Sequence, residues 1–258
     1  MMAQILGKPH PAAGPAGGLS GLAGLDRVHA YYCDPRQTGG KDTRTIYEIW
    51  EAGEAFDDSV TPSTYCPDYR AHVVLKILSL TAKGARIFSI GCGNAFVEAD
   101  LVREGRYVQA IDCNPEAVDL AARKDVEAFV SDFHSLPDGY LAAFDVIYAD
   151  GLLGHLYREG TGLSAFYDTL ARLAPKPGAF LVFSNDAPLA RGLRVEPHKR
   201  VEDFWMLSRE ELREGVAADG YLPVEDYHFP YVRPVSGLRN RTLCIACVPG
   251  GGVRRAAG

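Results

Sequence analysis

Several short clusters in the chain carry residues suited to chemistry, and each follows an apolar run. The first is Gly91-Cys92-Gly93-Asn94-Ala95. Glycines at such a place let the backbone turn sharply and approach a ligand closely. Asp112 follows 19 residues after Gly93, where an acid can accept hydrogen bonds from ribose hydroxyls. Ser131-Asp132, Asp150-Gly151 and Asn185-Asp186 repeat the theme of polar groups closing an apolar run. One such acid could be a helix cap and nothing more. The series fits the ligand-binding edge of an open α/β sheet better.

The segment from Tyr148 to Arg158 is a second concentration, with Asp150 between Ala149 and Gly151 and then His155, Tyr157 and Arg158. A histidine titrates near pH ~6.5, which suits His155 to proton transfer, although a structural hydrogen bond would use it equally well. Arg158 could clamp a carboxylate, sulfate or phosphate in its fork, or lie on a solvated helix face. Asp186 is a candidate base from position alone. Arg233 and Arg239 flank the last connection as anion binders or exposed loop arginines. The long stretch from Leu189 to Trp205 is placed to act as a lid or substrate loop, or as an insertion without contacts.

Other chemistries are excluded or disfavoured. No G-x-x-x-x-G-K-[ST] phosphate loop is present. Phe96 stands where a dinucleotide turn would place its third glycine, which disfavours close approach to a pyrophosphate. No His, Asp, Glu or Cys spacing resembles a metal cage, so no metal is expected. Cys244 and Cys247 lie in an apolar strand-like run that turns them to opposite faces, so they read as small buried thiols.

These clusters need a scaffold to bring them together. Short apolar runs at Arg86–Ile90, 107–111, 128–130, 144–149 and 179–184 have the composition of strands covered on both faces. Helical patterns separate most of them: one at 96–103, one capped by Asn114 and Pro115, and one carrying Leu163, Phe166, Tyr167, Leu170 and Leu173. Ser208-Arg209-Glu210-Glu211 is a capping box for a last helix. Two closing strands at about 222–231 and 241–248, joined by residues 233–240, can pair as an antiparallel hairpin. Upstream, Ile46, Ile49 and Trp50 recur at helical spacing within 42–56, and Pro67 opens a helix striped by Tyr69, Val73, Ile77 and Leu80. Alternating strands and helices imply an α/β fold: a doubly wound, mostly parallel seven-stranded sheet with helices on both faces, a C-terminal antiparallel hairpin and an N-terminal helical cap.

The 258 residues are 47% hydrophobic and 23% charged, which excludes disorder as the main state. The net charge of −6 argues against a general nucleic-acid binder. No apolar run approaches membrane length, so no membrane partner and a cytoplasmic location are expected. The boundaries expected are a Gly/Pro/Ala-rich flexible tail at 1–25, a helical cap or lid at 26–60, a nucleotide-type domain at 61–248 and a frayed tail at 249–258.

With these residues in view, the chain resembles the class I S-adenosylmethionine-dependent methyltransferases over roughly residues 60–248. The family pattern is acidic-x-G-x-G-x-G, and here it reads Ser89-Ile90-Gly91-Cys92-Gly93-Asn94-Ala95. Ser89 replaces the acid and Ala95 the third glycine. Leu173-Ala174-Pro175-Lys176-Pro177-Gly178 looks like the family's segment before the fifth strand. The resemblance implies S-adenosylmethionine as cofactor. It implies contact by Gly91, Cys92, Gly93 and Asn94, the ribose on Asp112 beside Cys113, and the adenine amine on Asp132 beside Phe133. Asp150 and Gly151 would lie near the methionine amino group or the substrate. Family members often cover the site with N-terminal segments, which brings in Asp26 as a base and Tyr32 as a substrate contact. Tyr65 and Arg233 are further substrate-side candidates.

The reaction expected is methyl transfer to a small molecule. The alternatives are a non-methylating displacement that closes a ring and expels an anion, and a non-catalytic partner subunit. A homo- or hetero-dimer stays open. The excess of arginine over lysine associates with GC-rich bacterial genomes, where specialised metabolism is common.

Overall fold

The computed structural model describes residues 44–54, 63–199, 201, 203–233 and 237–251. In chain order the strands are β1 (Arg86–Ile90), β2 (Tyr107–Asp112), β3 (Glu127–Val130), β4 (Val146–Asp150), β5 (Phe180–Asp186), β6 (Val195–Pro197), β7 (Trp205–Leu207), β8 (Leu222–Arg233) and β9 (Gly237–Cys247). The α-helices are α1 (Ile46–Glu51), α2 (Pro67–Ser79), α3 (Phe96–Arg103), α4 (Pro115–Ala122), α5 (Leu153–Leu156), α6 (Ser164–Arg172) and α7 (Arg209–Ala218).

Seven strands form one sheet in the order β3-β2-β1-β4-β5-β9-β8. The first five are parallel, and β9 runs antiparallel to both β5 and β8. Side chains alternate across the pleat, so each strand feeds two cores. Ile87, Val108, Val146 and Val182 face α2 and α3, meeting Tyr69, Val73, Ile77, Val97 and Leu101. Phe88, Ile111, Ile147 and Leu181 face α6 and α7, meeting Phe166, Leu170, Leu212 and Val216. Burial on both faces is why these strands are runs of apolar residues and not alternating ones. β3 departs from that expectation: as an edge strand it is only half-buried, and Val130 is exposed.

Other boundaries also shift. The closing hairpin is longer than its sequence pattern suggests, since β8 continues to Arg233 and β9 begins at Gly237. Arg233 is therefore a strand residue, not a loop arginine. The first helix covers only six residues, Ile46–Glu51, started by a reciprocal capping box between Thr45 and Glu48. A helix of that length is unstable alone. It is held by a third core, where Ile46, Tyr47 and Trp50 meet Ala117 and Leu120 of α4 and Val201, Phe204 and Met206 around β7. The 187–207 stretch is thus not a bare loop. It carries the β6–β7 ribbon and packs on α1.

The strand order reverses between β1 and β4. An open α/β sheet binds its ligand in the crevice outside the carboxyl ends of the strands at such a point. Gly91, Asp112, Asp132 and Asp150 all stand at that edge. Among the described residues, no helix is long and apolar enough to cross a membrane.

Candidate active site

The glycine turn is built by backbone hydrogen bonds. Gly91 N and Cys92 N both donate to Ile111 O, at 2.8 and 3.1 Å, which folds the end of β1 over β2. Gly93 N then donates to Asp112 Oδ2 at 2.9 Å, and Asn114 N donates to Asp112 Oδ1 at 2.9 Å. The Cys113 thiol also bonds to Asp112. Burial raises the Asp112 pKa while these donors oppose the rise. A carboxylate oxygen accepts more than one hydrogen bond, so Asp112 retains capacity for a pair of hydroxyls. Gly93 has φ +52°, and among the described residues a Cβ there would meet nothing within 4 Å. Ala95 also adopts the left-handed conformation, at φ 54°, where the family pattern has its third glycine. That conformation costs a non-glycine residue about 1 kcal/mol.

Asp132 begins the next turn. Its Oδ1 accepts from His134 N at 2.9 Å. Its Oδ2 is buried and has no hydrogen-bond partner among the described residues. A buried acceptor left unmet costs about 1–3 kcal/mol, so this atom calls for a donor from a ligand. Phe133 beside it packs in the main core, its ring 5.2 Å from that of Phe166. Asn94 turns toward the cap: its Nδ2 donates to Tyr47 O at 3.2 Å and to Glu51 Oε1 at 2.7 Å. Lys124 Nζ meets the same Glu51 oxygen at 2.5 Å. The cap and the glycine turn are therefore tied to one another.

The position lacking the family's acid has a neighbour that the sequence reading missed. Ser89 Oγ donates to Glu98 Oε1 at 2.6 Å, and Glu98 is 3% exposed. Burial pushes the Glu98 carboxyl up to about 7. The available signal was an acid at i−3 from the buried Leu101, on the apolar side of α3.

On the substrate side, Asp150 and Asp186 belong to one buried ionic network. Arg241, 3% exposed, reaches Asp150 Oδ1 through Nη2, Asp186 Oδ1 through Nη1 at 3.0 Å, and Ser184 Oγ through Nε at 3.0 Å. Arg233 Nη2 lies 3.0 Å from both oxygens of Asp186, and its Nε donates to Tyr231 at 2.6 Å. Tyr69 and Tyr148 donate to Asp150 Oδ2 at 2.9 and 3.1 Å. Burial alone would raise the Asp186 pKa, but Arg233 and Arg241 outweigh it and hold the carboxyl well below the usual range. A carboxylate so held is a poor base. Burial, then Asp150, raises Tyr69 well above the ordinary phenol value, so it stays protonated. Arg241, Tyr69, Tyr148 and Ser184 were not among the sequence candidates. Arg241 shares the buried face of β9 with Leu243 and Ile245, and an arginine on such a face was the clue.

His155 and Arg158 sit at and just beyond α5. Burial, then Arg158 and His198, lower the His155 pKa to about 3, so its ring is neutral near neutrality. Its ring lies 4.7 Å from Phe204. Arg158 Nη1 donates to His155 O and Tyr157 O at 2.6 and 2.9 Å, stapling the helix end. Asn185 holds the ribbon in place, accepting from Gly154 N at 3.0 Å and donating to Trp205 O at 2.8 Å. Gly154 is required there, because a Cβ would lie 2.5 Å from Trp205 O. Tyr65 donates to Gly53 O and ties the approach to α2 to the turn after α1. Asp26 and Tyr32 lie outside the described residues.

A family profile described as a methyltransferase domain matches residues 88–183, the span from β1 to β5. A tabtoxin biosynthesis enzyme from Pseudomonas amygdali pv. tabaci is 49% identical over 246 residues, covering 95% of this chain and 97% of its own. This chain belongs to the class I S-adenosylmethionine-dependent methyltransferase family. Solved members share its fold at low identity. A 1,6-didemethyltoxoflavin N1-methyltransferase from Burkholderia thailandensis, solved with S-adenosylhomocysteine, aligns with a TM-score of 0.57 at 18% identity, over 86% of this chain and 88% of that one. A (4+2)-cyclase aligns with a TM-score of 0.55 at 15% identity, over 69% and 81%. The methyltransferase fold thus carries more than one chemistry among its solved members.

Proposed function

We propose that this chain binds S-adenosylmethionine and transfers its methyl group to a small molecule of bacterial specialised metabolism. The observation that carries the cofactor assignment is the buried Asp132 Oδ2, without a partner among the described residues, on the same sheet edge as Asp112 and Gly93. An adenosine presents an amino donor and two hydroxyl donors, and these acceptors suit it. Asp112 would take the ribose hydroxyls and Asp132 the adenine amino group. The turn at Gly91 and Gly93 would admit the methionine end. When bound, the cofactor supplies a methyl group on a sulfonium, a strong electrophile.

The chain's own contribution is then orientation and exclusion of water. The α1 cap and the β6–β7 ribbon meet through Tyr47, Trp50, Phe204 and Met206, a pairing that would cover the strand ends. Asp186 is neutralised by two arginines and His155 is a weak base, so neither is suited to pull a proton from an unactivated hydroxyl. That supports a nucleophile, such as an amine nitrogen, that reacts from its neutral form and sheds a proton afterwards to water.

The 49% identical relative carries the name of a toxin biosynthesis enzyme, which supports specialised metabolism as the setting. The ring-closing alternative would draw on Asp150 or Asp186 as its base, and both are engaged by Arg241. The deciding experiment is calorimetric titration with S-adenosylmethionine, followed by incubation with labelled cofactor and candidate amines. Saturable binding and a product heavier by one methylene are expected. Absence of cofactor binding defeats the assignment, and a product lighter by an anionic leaving group favours ring closure.

A further inference from the structure

Ser89 stands where the family carries an acid, and the space next to it is filled by a carboxylate from another element. Glu98 reaches back from the first turn of α3, and its Oε1 accepts from Ser89 Oγ at 2.6 Å. The groups acting on it come from every neighbouring element. Ser89 lies on β1, Asp112 on β2, and Tyr148 and Asp150 on β4, with Cys92 in the turn. Among the described residues, the nearby cations pair elsewhere. Arg70 of α2 pairs with Asp100, Lys124 with Glu51, and Arg241 with Asp150 and Asp186. Three buried carboxylates, Glu98, Asp112 and Asp150, therefore converge under the glycine turn, and Arg241 directly neutralises only Asp150. Two further buried acceptors, Asp132 Oδ2 and Asn94 Oδ1, have no hydrogen-bond partner among the described residues. The cluster is arranged to receive a ligand that brings both donors and positive charge.

We propose that Glu98 is the positioning acid for the cofactor's amino-acid end, taking over the role of the acid missing at position 89, and that it releases a proton as the α-ammonium group binds. The inference rests on the S-adenosylmethionine reading above. Buried and facing like charges, Glu98 has its carboxyl raised to about 7 and so holds its proton in slightly acidic solution. A bound ammonium supplies the opposite charge, so the carboxylic O–H ionises and the proton passes to solvent. No other bond forms or breaks. The acid has moved from strand to helix while the charge stays under the turn, which explains how Ser89 is tolerated.

Calorimetry with three probes tests this. S-adenosylmethionine and S-adenosylhomocysteine both carry the α-ammonium, and 5′-methylthioadenosine lacks the whole amino-acid end. Glu98→Gln keeps the acceptor for Ser89 and removes the charge. It should weaken both amino-acid-bearing probes about tenfold or more at pH ~8, the scale of a charged hydrogen bond, and leave methylthioadenosine unchanged. Ser89→Asp in the Glu98→Gln background should restore the loss. In the unsubstituted protein, titrations near pH 6.5 in two buffers of different ionisation enthalpy should reveal proton release with the first two probes and none with the third. That measurement needs no variant, so it stands even where Glu98→Gln does not fold. An equal loss for all three probes, or the absence of proton release, overturns the assignment of Glu98. Binding of methylthioadenosine with no binding of the other two also overturns it. Failure of the unsubstituted protein to bind any of the three overturns the cofactor reading itself and the inference with it.

Discussion

Replacing Arg241 by methionine isolates the buried ionic network. The side chain is 4% exposed and touches Asp150, Asp186 and Ser184. Methionine fills a similar volume, so most packing survives and the change is chiefly electrostatic. Asp186 keeps Arg233, but among the described residues Asp150 is left with the neutral donors Tyr69 and Tyr148. Breaking a buried pair by removing one partner costs about 3–5 kcal/mol, and the two tyrosine donors place this site toward the lower end. Urea denaturation at neutral pH should therefore show a loss of about 3 kcal/mol with an unchanged slope. The pH dependence has a definite sign. Arginine holds the Asp186 pKa down in the native protein, so that stabilisation exists above the ordinary carboxylate range and is lost as pH falls through the native value. In Arg241→Met the native Asp186 carboxylate takes up a proton more readily, so the deficit should shrink between pH ~7 and pH ~4. A loss below about 1 kcal/mol, or a deficit that grows in acid, refutes the network as drawn.

Three further outcomes follow from other parts of the site. Asp132→Asn replaces a carboxyl group whose buried Oδ2 has no partner among the described residues, so the free protein should keep or gain stability, while the affinity for S-adenosylmethionine falls about tenfold; an unchanged dissociation constant would remove Asp132 from the adenine site. Gly154→Ala forces a Cβ against Trp205 O and the Phe204 ring, so it should cost about 1–3 kcal/mol and speed proteolytic cleavage within 187–207; an unaltered digest would show that the ribbon does not depend on this contact. His155 has a native pKa of about 3 against 6.5 unfolded, so its contribution is present above pH 6.5 and lost on acidification. At about 1.36 kcal/mol per unit, that amounts to about 3 kcal/mol by pH ~4, and His155→Gln should flatten this part of the acid unfolding profile. A His155 ring resonance that titrates near neutrality would contradict the burial argument.

The sheet was legible because its code is local. Runs such as Arg86–Ile90 and the helix at 96–103 have bounds that coincide with those of β1 and α3, since strand burial and helix spacing are written in consecutive residues. Strand-end acids were legible for the same reason: Asp112 and Asp132 end or follow apolar runs, and topology carries them to one edge. Partnerships across the fold were not. That Asp150 meets Arg241, 91 positions away, depends on β9 inserting next to β5. Arg233 read as a loop residue because the hairpin's pairing extends past the strongly apolar positions. The ribbon at 187–207 was hidden because its short strands are half-polar and owe their order to α1 and Asn185. Glu98 was overlooked because an acid in a helix's first turn is ordinary on electrostatic grounds, and only the partner at Ser89 reveals its second use.

The six-residue α1 helix has a kinetic consequence. It owes its order to α4 and the β6–β7 ribbon, two segments far apart in sequence, and Asn94 ties it to the glycine turn. Parting any of these contacts removes support from the others, because so short a helix cannot persist alone. Opening at this corner is then one cooperative event, in which Tyr47 and Trp50 part from Phe204 and Met206 together.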